Sequence, residues 1–228
     1  MYNFMIYFLL FFIYSIIGWI IETIYTAITK NEIVNRGFLI GPYCPIYGVG
    51  SLIMVILLKP YHNDIFALFV ASIFVCTFIE YITSYLMEKI FKARWWDYSD
   101  VPFNVNGRVC LINSIEFGIL SIILIKYVNV FVLDFIYNIP DIVRAVLFGF
   151  FLGIFVVDII ISVNIINKIK TTVINIKKDH TGEINEKVMK LLMEKSYLVK
   201  RIFTAFPNVK SIIKKAPKFK ILKRNKKL

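Results

Sequence analysis

The chain of 228 residues is 58% hydrophobic and 18% charged, and it carries a formal net charge of +12. With a mean hydropathy of +0.71, it is too apolar for an ordinary soluble globular domain. Cys44, Cys76 and Cys110 form no C-x-x-C pair, and His62 and His180 are far apart in sequence. The sequence therefore supports neither a disulfide scaffold nor a metal site, and it implies no cofactor.

Five apolar stretches are long enough to cross a bilayer, which takes about 20 residues of helix. They cover residues 2–28, 39–58, 65–87, 110–127 and 142–165. The first is too long for a signal peptide and lacks its basic start. Glycines and prolines interrupt the first half of the second stretch, which predicts an unwound or kinked entry buried in protein. The sequence thus predicts an all-α membrane bundle of about five transmembrane helices.

The positive charge is concentrated after the last apolar stretch. Residues 166–228 contain 18 Lys or Arg and four acidic residues, whereas residues 1–165 contain nine and 11. We therefore expect a transmembrane domain over 1–165 and a basic cytoplasmic tail over 166–228, with an amphipathic helix at about 183–206. Next to membrane spans, such a tail suits anionic lipid headgroups rather than nucleic acid.

The distribution of Lys and Arg near the span ends also predicts orientation. With the tail inside, the more basic loops fall on the cytoplasmic side, which leaves the N-terminus outside. The sequence therefore predicts a multi-pass protein of the cell (plasma) membrane.

Four carboxylates lie inside the apolar stretches: Glu22, Glu80, Glu116 and Asp158. A charge at the bilayer centre costs roughly 2.5–3.5 kcal/mol on insertion scales, so such residues usually face a protein interior or a wet cavity. The predicted orientation puts all four in the cytoplasmic half, and polar residues at helical spacing flank each one. We expect them to line a substrate or ion pathway; structural hydrogen bonds within the bundle are the alternative.

A weak internal repeat relates the first and third spans. YSIIGWIIETIY followed by NRGFLIGP has a counterpart in CTFIEYITSYLM followed by NGRVCLIN. This pattern favours parallel repeats of the kind found in some transporters, with chance similarity of two apolar hairpins as the alternative. In each copy an arginine follows the carboxylate. Arg36 and Arg108 are thus candidate counter-ions for Glu22 and Glu80, or binders of lipid or substrate phosphate.

Five strings in the chain are similar to one bacterial family. They are YSIIGWIIE at 14–22, NRGFLIGPYCPIYGVG at 35–50, WWDYS at 95–99, FNVNGRVCLINSIEFG at 103–118 and RIFTAFPNVKS at 201–211. With these strings the chain resembles the ABC-transporter type IV (CmpB-like) membrane proteins. The resemblance implies a permease or permease-like subunit with no specified substrate. The family has an aromatic residue where this chain has Glu116, which favours the other pathway candidates over Glu116.

The resemblance also marks a set of loop residues as candidates. These are Asn35, Gly37, Gly41, Pro42, Cys44, Pro45, Tyr47, Gly48, Trp96, Asp97, Tyr98, Asn104 and Gly107. The loop around Trp96 is a candidate coupling element, or alternatively an interfacial aromatic anchor. Because the chain has no phosphate-binding G-x-x-x-x-G-K-[ST] loop, an ABC-type role would need a separate ATPase subunit.

Two other function classes and one further partner stay open at this point. A membrane enzyme acting on a lipid or isoprenoid headgroup could use a glutamate as its base, although no known catalytic motif is present and the sequence favours a non-enzymatic role. A non-catalytic scaffold is the other alternative. Gly149 and Gly153 form a G-x-x-x-G pair, which favours either a homodimer or close packing within the chain.

Overall fold

The computed structural model describes residues 2–31, 35, 37–91, 94–178 and 201. Their architecture is a bundle of helices with one short two-stranded hairpin. The helices are α1 (Tyr2–Lys30), α2 (Pro45–Leu57), α3 (Ile65–Phe91), α4 (Leu111–Ile123), α5 (Asn129–Asn138) and α6 (Asp141–Lys178), and the strands are β1 (Asn104–Val105) and β2 (Val109–Cys110). A single 3-10 turn, Lys59–Tyr61, follows α2.

Four helical segments among the described residues are long and apolar enough to cross a membrane: Asn3–Thr29, Ile65–Phe91, Leu111–Asn138 and Asp141–Asn167. Helix α2 is apolar but shorter. The predicted all-α membrane bundle is confirmed, with four long helices and one short one.

The second predicted span is helical only in its second half. Residues 37–44 are non-helical, and α2 begins at Pro45, where proline is favoured because its missing N–H needs no partner in the first turn. With 13 residues, α2 is about 20 Å long, against a hydrocarbon core of about 30 Å. The predicted unwound entry is confirmed, and the helical part of the stretch 39–58 is too short to cross the hydrocarbon core by itself.

Two further boundaries differ from the prediction. The fourth span continues past residue 127, because a π-helical turn at Leu124–Val128 joins α4 to α5 without a break. Helix α6 extends past residue 165 to Lys178, so it enters the basic segment. The expected amphipathic helix at about 183–206 lies outside the described residues, Arg201 excepted.

Close packing of α1 against α2 positions the candidate site. Cys44 N–H donates to the Ser15 carbonyl at 2.8 Å, just before α2 begins. A side chain at Gly48 would overlap Ser15 Oγ and the Phe11 carbonyl, so only glycine lets the two backbones approach this closely.

Helix α6 packs against α1 through aromatic rings. Phe151 of α6 stacks on Phe12 of α1 with centroids 4.6 Å apart, and Phe155 meets Phe11 edge to face at 5.3 Å. Tyr43, from the non-helical segment, lies 5.0 Å from the Phe12 ring. Tyr43 therefore packs the segment 37–44 against α1 and α6.

Candidate functional site

The first part of the candidate site joins α1 to α2. The Tyr47 hydroxyl donates a hydrogen bond to Glu22 Oε1 at 2.6 Å. The Tyr47 ring lies directly against Gly18, one turn before Glu22, where a Cβ atom would overlap the ring. Gly18 thus makes room for the tyrosine that holds Glu22, and the ring also packs edge-on against Phe117 of α4.

The second part joins α3 to the loop that precedes α4. The Tyr98 hydroxyl donates to Glu80 Oε1 at 3.2 Å. Glu80 is only 7% exposed, and its other oxygen, Oε2, is buried without a hydrogen-bond partner among the described residues. A buried carboxylate oxygen without a donor is costly, so this atom marks a place where a proton, a water molecule or a ligand would be stabilised.

The two carboxylates share one neighbourhood around Tyr98. Burial raises the pKa of Tyr98, and the negative charges of Glu80 and Glu22 raise it further. The structure thus brings together Glu22, Glu80, Tyr47 and Tyr98, which we call the Glu–Tyr cluster. That Glu22 and Glu80 line one polar pathway stays a prediction.

Loop 94–110 holds Tyr98 in place through its backbone. Tyr98 N–H donates to the Gly107 carbonyl at 2.8 Å, and Gly107 N–H donates to Asn104 Oδ1 at 2.9 Å. Trp96 Nε1 donates to the Arg108 carbonyl at 2.9 Å. The residues that the family resemblance marks in this loop therefore stabilise its conformation through hydrogen bonds within the loop.

Asp97 stabilises the start of the same loop. Its Oδ1 accepts a hydrogen bond from Ser99 N–H at 3.1 Å and contacts Arg94 at 3.3 Å. Although burial raises the pKa of Asp97, the hydrogen bonds from Ser99 and the charge of Arg94 outweigh it, and the pKa lies below its usual value. Asp97 is therefore ionised and orders the backbone that carries Tyr98.

Arg108 pairs with Glu88 and not with Glu80. Its Nη2 lies 2.7 Å from Glu88 Oε2, and its guanidinium lies 5.4 Å from the centre of the Tyr85 ring and 5.7 Å from that of Tyr81. Glu88 follows Glu80 by two helical turns, so it is on the same face of α3 but nearer the helix end. The expectation that Arg108 neutralises Glu80 was wrong for this reason. Arg36 lies outside the described residues.

Asp158 of α6 binds the non-helical segment. Its carboxylate accepts hydrogen bonds from Ile40 N–H at 2.9 Å, Gly41 N–H at 2.8 Å and the Tyr43 hydroxyl at 2.5 Å. Ser162, one turn later, donates to the same carboxylate at 2.9 Å. These hydrogen bonds pair non-helical backbone with a carboxylate of a helix that is long and apolar enough to cross a membrane, and such backbone is tolerated among membrane spans only inside protein.

Arg201 binds the carbonyl side of the same segment. Its guanidinium donates to the carbonyls of Leu39 at 2.6 Å, Phe38 at 3.3 Å and Gly37 at 3.4 Å. The N–H groups of 40 and 41 thus face a carboxylate and the carbonyls of 37–39 face a guanidinium. A residue of the tail string therefore contacts the motif segment directly.

Asn35 completes this region. Its Oδ1 accepts hydrogen bonds from Trp19 Nε1 at 2.8 Å and Gly37 N–H at 3.0 Å, and its Nδ2 donates to the Ile40 carbonyl at 3.0 Å. Cys44 is buried, whereas Pro42, between Gly41 and Tyr43, is exposed. The motif residues of 35–48 mainly shape the backbone that leads into α2.

Glu116 does not join the cluster. It is exposed on α4, whereas Ser114, Gly118 and Ser121 form the buried face of that helix. The expectation that all four carboxylates face the interior was wrong for Glu116. Serine and glycine, which permit close packing, and not the charged residue, mark the face that meets α3.

Some contacts were missed in the sequence. Glu88 was not recognised as the partner of Arg108, although its spacing from Glu80 along α3 puts both on one face. Tyr43 was not singled out as a partner of Asp158, and no local signal connects residues so far apart in the chain. Among the described residues, no group of three or more His, Cys, Asp or Glu side chains is arranged to hold a metal ion.

Comparison with known proteins places these features in a family. The family described as "Putative ABC-transporter type IV" matches residues 9–163. The chain belongs to this family. The matched region contains the Glu–Tyr cluster, the non-helical segment and Asp158, whereas Arg201 lies beyond it. No curated protein and no solved structure gives a significant match to the chain.

Membership of the family, together with the apolar helices, makes the chain a multi-pass membrane protein related to ABC transporters. The family description names neither a substrate nor the residues that would contact one.

Proposed function

We propose that this chain is the membrane-embedded, permease-like subunit of an ABC-type transport system, and that the Glu–Tyr cluster is part of its substrate or ion pathway. It works with a separate ATPase subunit, since the phosphate-binding loop of such ATPases is missing from its sequence. The N-terminus lies outside the cell and the basic tail lies in the cytoplasm, next to anionic lipid headgroups.

The observation that carries this proposal is the buried Oε2 atom of Glu80. It belongs to a carboxylate in a membrane helix, beside a second carboxylate and two tyrosine hydroxyls, and it lacks a described donor. A purely structural carboxylate would have its oxygens satisfied, as those of Asp158 are. The contrast between Glu80 and Asp158 supports a pathway role for Glu80 and a structural role for Asp158.

The family match supports the other half of the proposal. The ABC-type description fits a chain that spans the membrane several times and depends on another subunit for ATP hydrolysis. A protein that acts alone on lipid headgroups would need no such partner. The search for a partner therefore separates the two functions.

Copurification from native membranes in mild detergent tests the proposal. We expect the full-length chain to retain an ATPase in a fixed ratio, and the Glu80→Gln variant to retain the same ATPase. In lipid vesicles, the rate of ATP hydrolysis by the wild-type complex should respond to added cell extracts that contain the substrate. In the Glu80→Gln complex this response should be lost. Asp134→Asn is the matched control, because Asp134 is an exposed carboxylate of α5.

Two outcomes would contradict the proposal. Recovery of the chain without any ATPase, together with conversion of a lipid substrate by the purified chain alone, would identify a membrane enzyme. An unchanged response to substrate extracts in both Glu22→Gln and Glu80→Gln would remove the Glu–Tyr cluster from the pathway.

A further inference from the structure

Helix α3 carries a polar stripe along its inner side. Its members follow one another every four residues, and each is turned by only about 40° from the one before. Phe74 and Phe78, on the opposite side of the helix, are 71% and 66% exposed. We call the following four residues the α3 stripe: Ser72, Glu80 and Ser84, which are buried, and Cys76, which is half-buried.

Two members of the α3 stripe have a buried polar atom without a hydrogen-bond partner. These atoms are Glu80 Oε2 and Ser72 Oγ, and Ser72 is 0% exposed. Eight residues of helix, about 12 Å, separate them. Because an unpaired buried polar atom is costly and rare in native proteins, two on one side of one helix indicate that both serve the same purpose.

Glu80 also lacks a positively charged partner. Arg108 pairs with Glu88 at 2.7 Å, and its Nη1 lies 3.4 Å from Ser84 Oγ. Within the part of the chain that the structure describes, no Lys, Arg or His forms a salt bridge with Glu80. The titratable and charged groups around Glu80 are Tyr98 and Arg108 of loop 94–110, Glu22 of α1, Tyr47 of α2, and Cys76 and Glu88 of α3.

We propose that Glu80 is the binding group for a monovalent cation, a proton or an alkali-metal ion, and that Ser72 is the next polar group on the route of this cation. The proposal rests on the proposed function, in which the Glu–Tyr cluster is part of a substrate or ion pathway. An anion would be repelled by the Glu80 carboxylate. A large solute is disfavoured, because Cys76, between Ser72 and Glu80, lies within 3.6 Å of both Met54 and Ser121.

The two oxygens of Glu80 divide the work in this site. Oε1 accepts the hydrogen bond from Tyr98, and Oε2 takes up the cation. A proton would form an O–H bond at Oε2 and leave a neutral acid, whereas an alkali-metal ion would balance the negative charge. Either cation relieves the cost of a buried charge. Asp158, whose carboxylate already has four donors, offers no such free oxygen.

Infrared difference spectroscopy of the purified full-length chain in lipid vesicles tests the proposal. The C=O stretching band of protonated carboxyl groups is recorded from about pH 5 to about pH 9, and the part lost in Glu80→Gln is assigned to Glu80. We expect this band to disappear as pH rises. Glu116→Gln is the matched control, because Glu116 is an exposed carboxylate of α4, and it should leave the Glu80 band unchanged.

The same titration distinguishes the two cations. It is repeated with increasing NaCl or KCl in place of the chloride of a bulky organic cation. If an alkali-metal ion competes with the proton at Glu80, each tenfold rise in its concentration should lower the midpoint of the Glu80 band by about one pH unit. A midpoint that does not respond to either salt identifies the proton as the bound cation.

A rapid pH jump tests the role of Ser72. Ser72→Ala should slow the response of the Glu80 band about tenfold, as expected for the loss of one hydrogen bond to the moving cation, and should leave the midpoint unchanged. Phe78→Leu, on the exposed side of α3, should change neither the rate nor the midpoint. A wild-type rate in Ser72→Ala would remove Ser72 from the route.

A Glu80 band that stays constant over the whole pH range, with and without alkali-metal ions, would overturn the proposal, because such a group neither takes up nor releases a cation. If Glu80→Gln does not fold, Glu80→Asp in protein with isotopically labelled glutamate assigns the band instead. The spectra need no second subunit, so they are independent of the copurification result. A titrating Glu80 in a chain without an ATPase would reject the ABC-type role alone, and a constant Glu80 in a chain with one would reject the cation site alone.

Discussion

Replacing Asp158 with alanine should loosen the non-helical segment before α2. The carboxylate accepts hydrogen bonds from two backbone N–H groups, one tyrosine hydroxyl and one serine hydroxyl. Removing the acceptor leaves the N–H groups of Ile40 and Gly41 without it, at a cost of about 1–3 kcal/mol for each buried group. Since such effects are not fully additive, we expect the free energy of unfolding to fall by about 3–5 kcal/mol.

Three further variants grade this effect by the number of contacts each removes. Ser162→Ala loses one neutral donor and should cost about 1 kcal/mol. Tyr43→Phe loses one hydroxyl and keeps the ring that packs against Phe12, so it should cost about 1–2 kcal/mol. Asp158→Asn keeps one acceptor but turns an amide N–H₂ toward backbone N–H groups, so it should lie between Tyr43→Phe and Asp158→Ala.

The assay combines reversible unfolding in mixed micelles with hydrogen exchange of peptides that cover 37–44. We expect exchange in this segment to rise in the order of the predicted costs, while exchange in α3 stays unchanged. If Asp158→Ala unfolds within about 1 kcal/mol of the wild type, and the exchange of 37–44 is unaltered, the carboxylate does not hold this segment and the structural role assigned to it is wrong.

Four other outcomes are expected. Gly48→Val should separate α1 from α2 at a cost of about 1–3 kcal/mol, measured by unfolding, whereas Gly149→Ala, which meets no neighbour, should be neutral or slightly stabilising; equal effects would contradict the packing argument. Arg201→Gln should speed limited proteolysis of the tail and hydrogen exchange in 37–41, and unchanged rates would show that the guanidinium contacts contribute nothing. Tyr98→Phe should leave the fold intact but change the substrate response of ATP hydrolysis in the same direction as Glu80→Gln; a wild-type response would separate Tyr98 from the site. The pKa of Asp97 is lowered in the folded loop, so the stability that ionised Asp97 gives to the loop is present above the unfolded pKa of about 3.9 and is lost as pH falls through the lower folded value. Trp96 fluorescence should therefore be constant from pH 7 to about 5 and change only in stronger acid. A transition near neutral pH would refute this.

Helical periodicity and the cost of inserting a charge into the membrane were enough to predict the helical bundle and the inward position of Glu22, Glu80 and Asp158. They were not enough for Glu116, because α4 has two polar faces. One contains Asn113 and Glu116 and the other contains Ser114, Gly118 and Ser121, and only one of them packs on α3. The prediction chose the face with Glu116 because that face carries the charge. Helices pack closely in membranes through small residues, so the face with Ser114, Gly118 and Ser121 meets α3.

Pairings between distant parts of the chain were the least predictable. Arg108 was expected at Glu80 because of the apparent repeat, but Glu88 lies nearer the helix end and takes the ion pair. The contacts of Asp158 with Ile40 and of Arg201 with Leu39 span 118 and 162 residues of sequence. No local pattern encodes such contacts, since they follow from how the helices pack.

The unwound segment has a mechanical consequence for the bundle. Its backbone is attached to α6 through Asp158 and continues without a flexible spacer into Pro45, the first residue of α2. Any sliding or rotation of α6 must therefore either break these hydrogen bonds or drag the start of α2, and with it Tyr47 and its grip on Glu22. The segment therefore couples any movement of α6 to the position of the Glu–Tyr cluster.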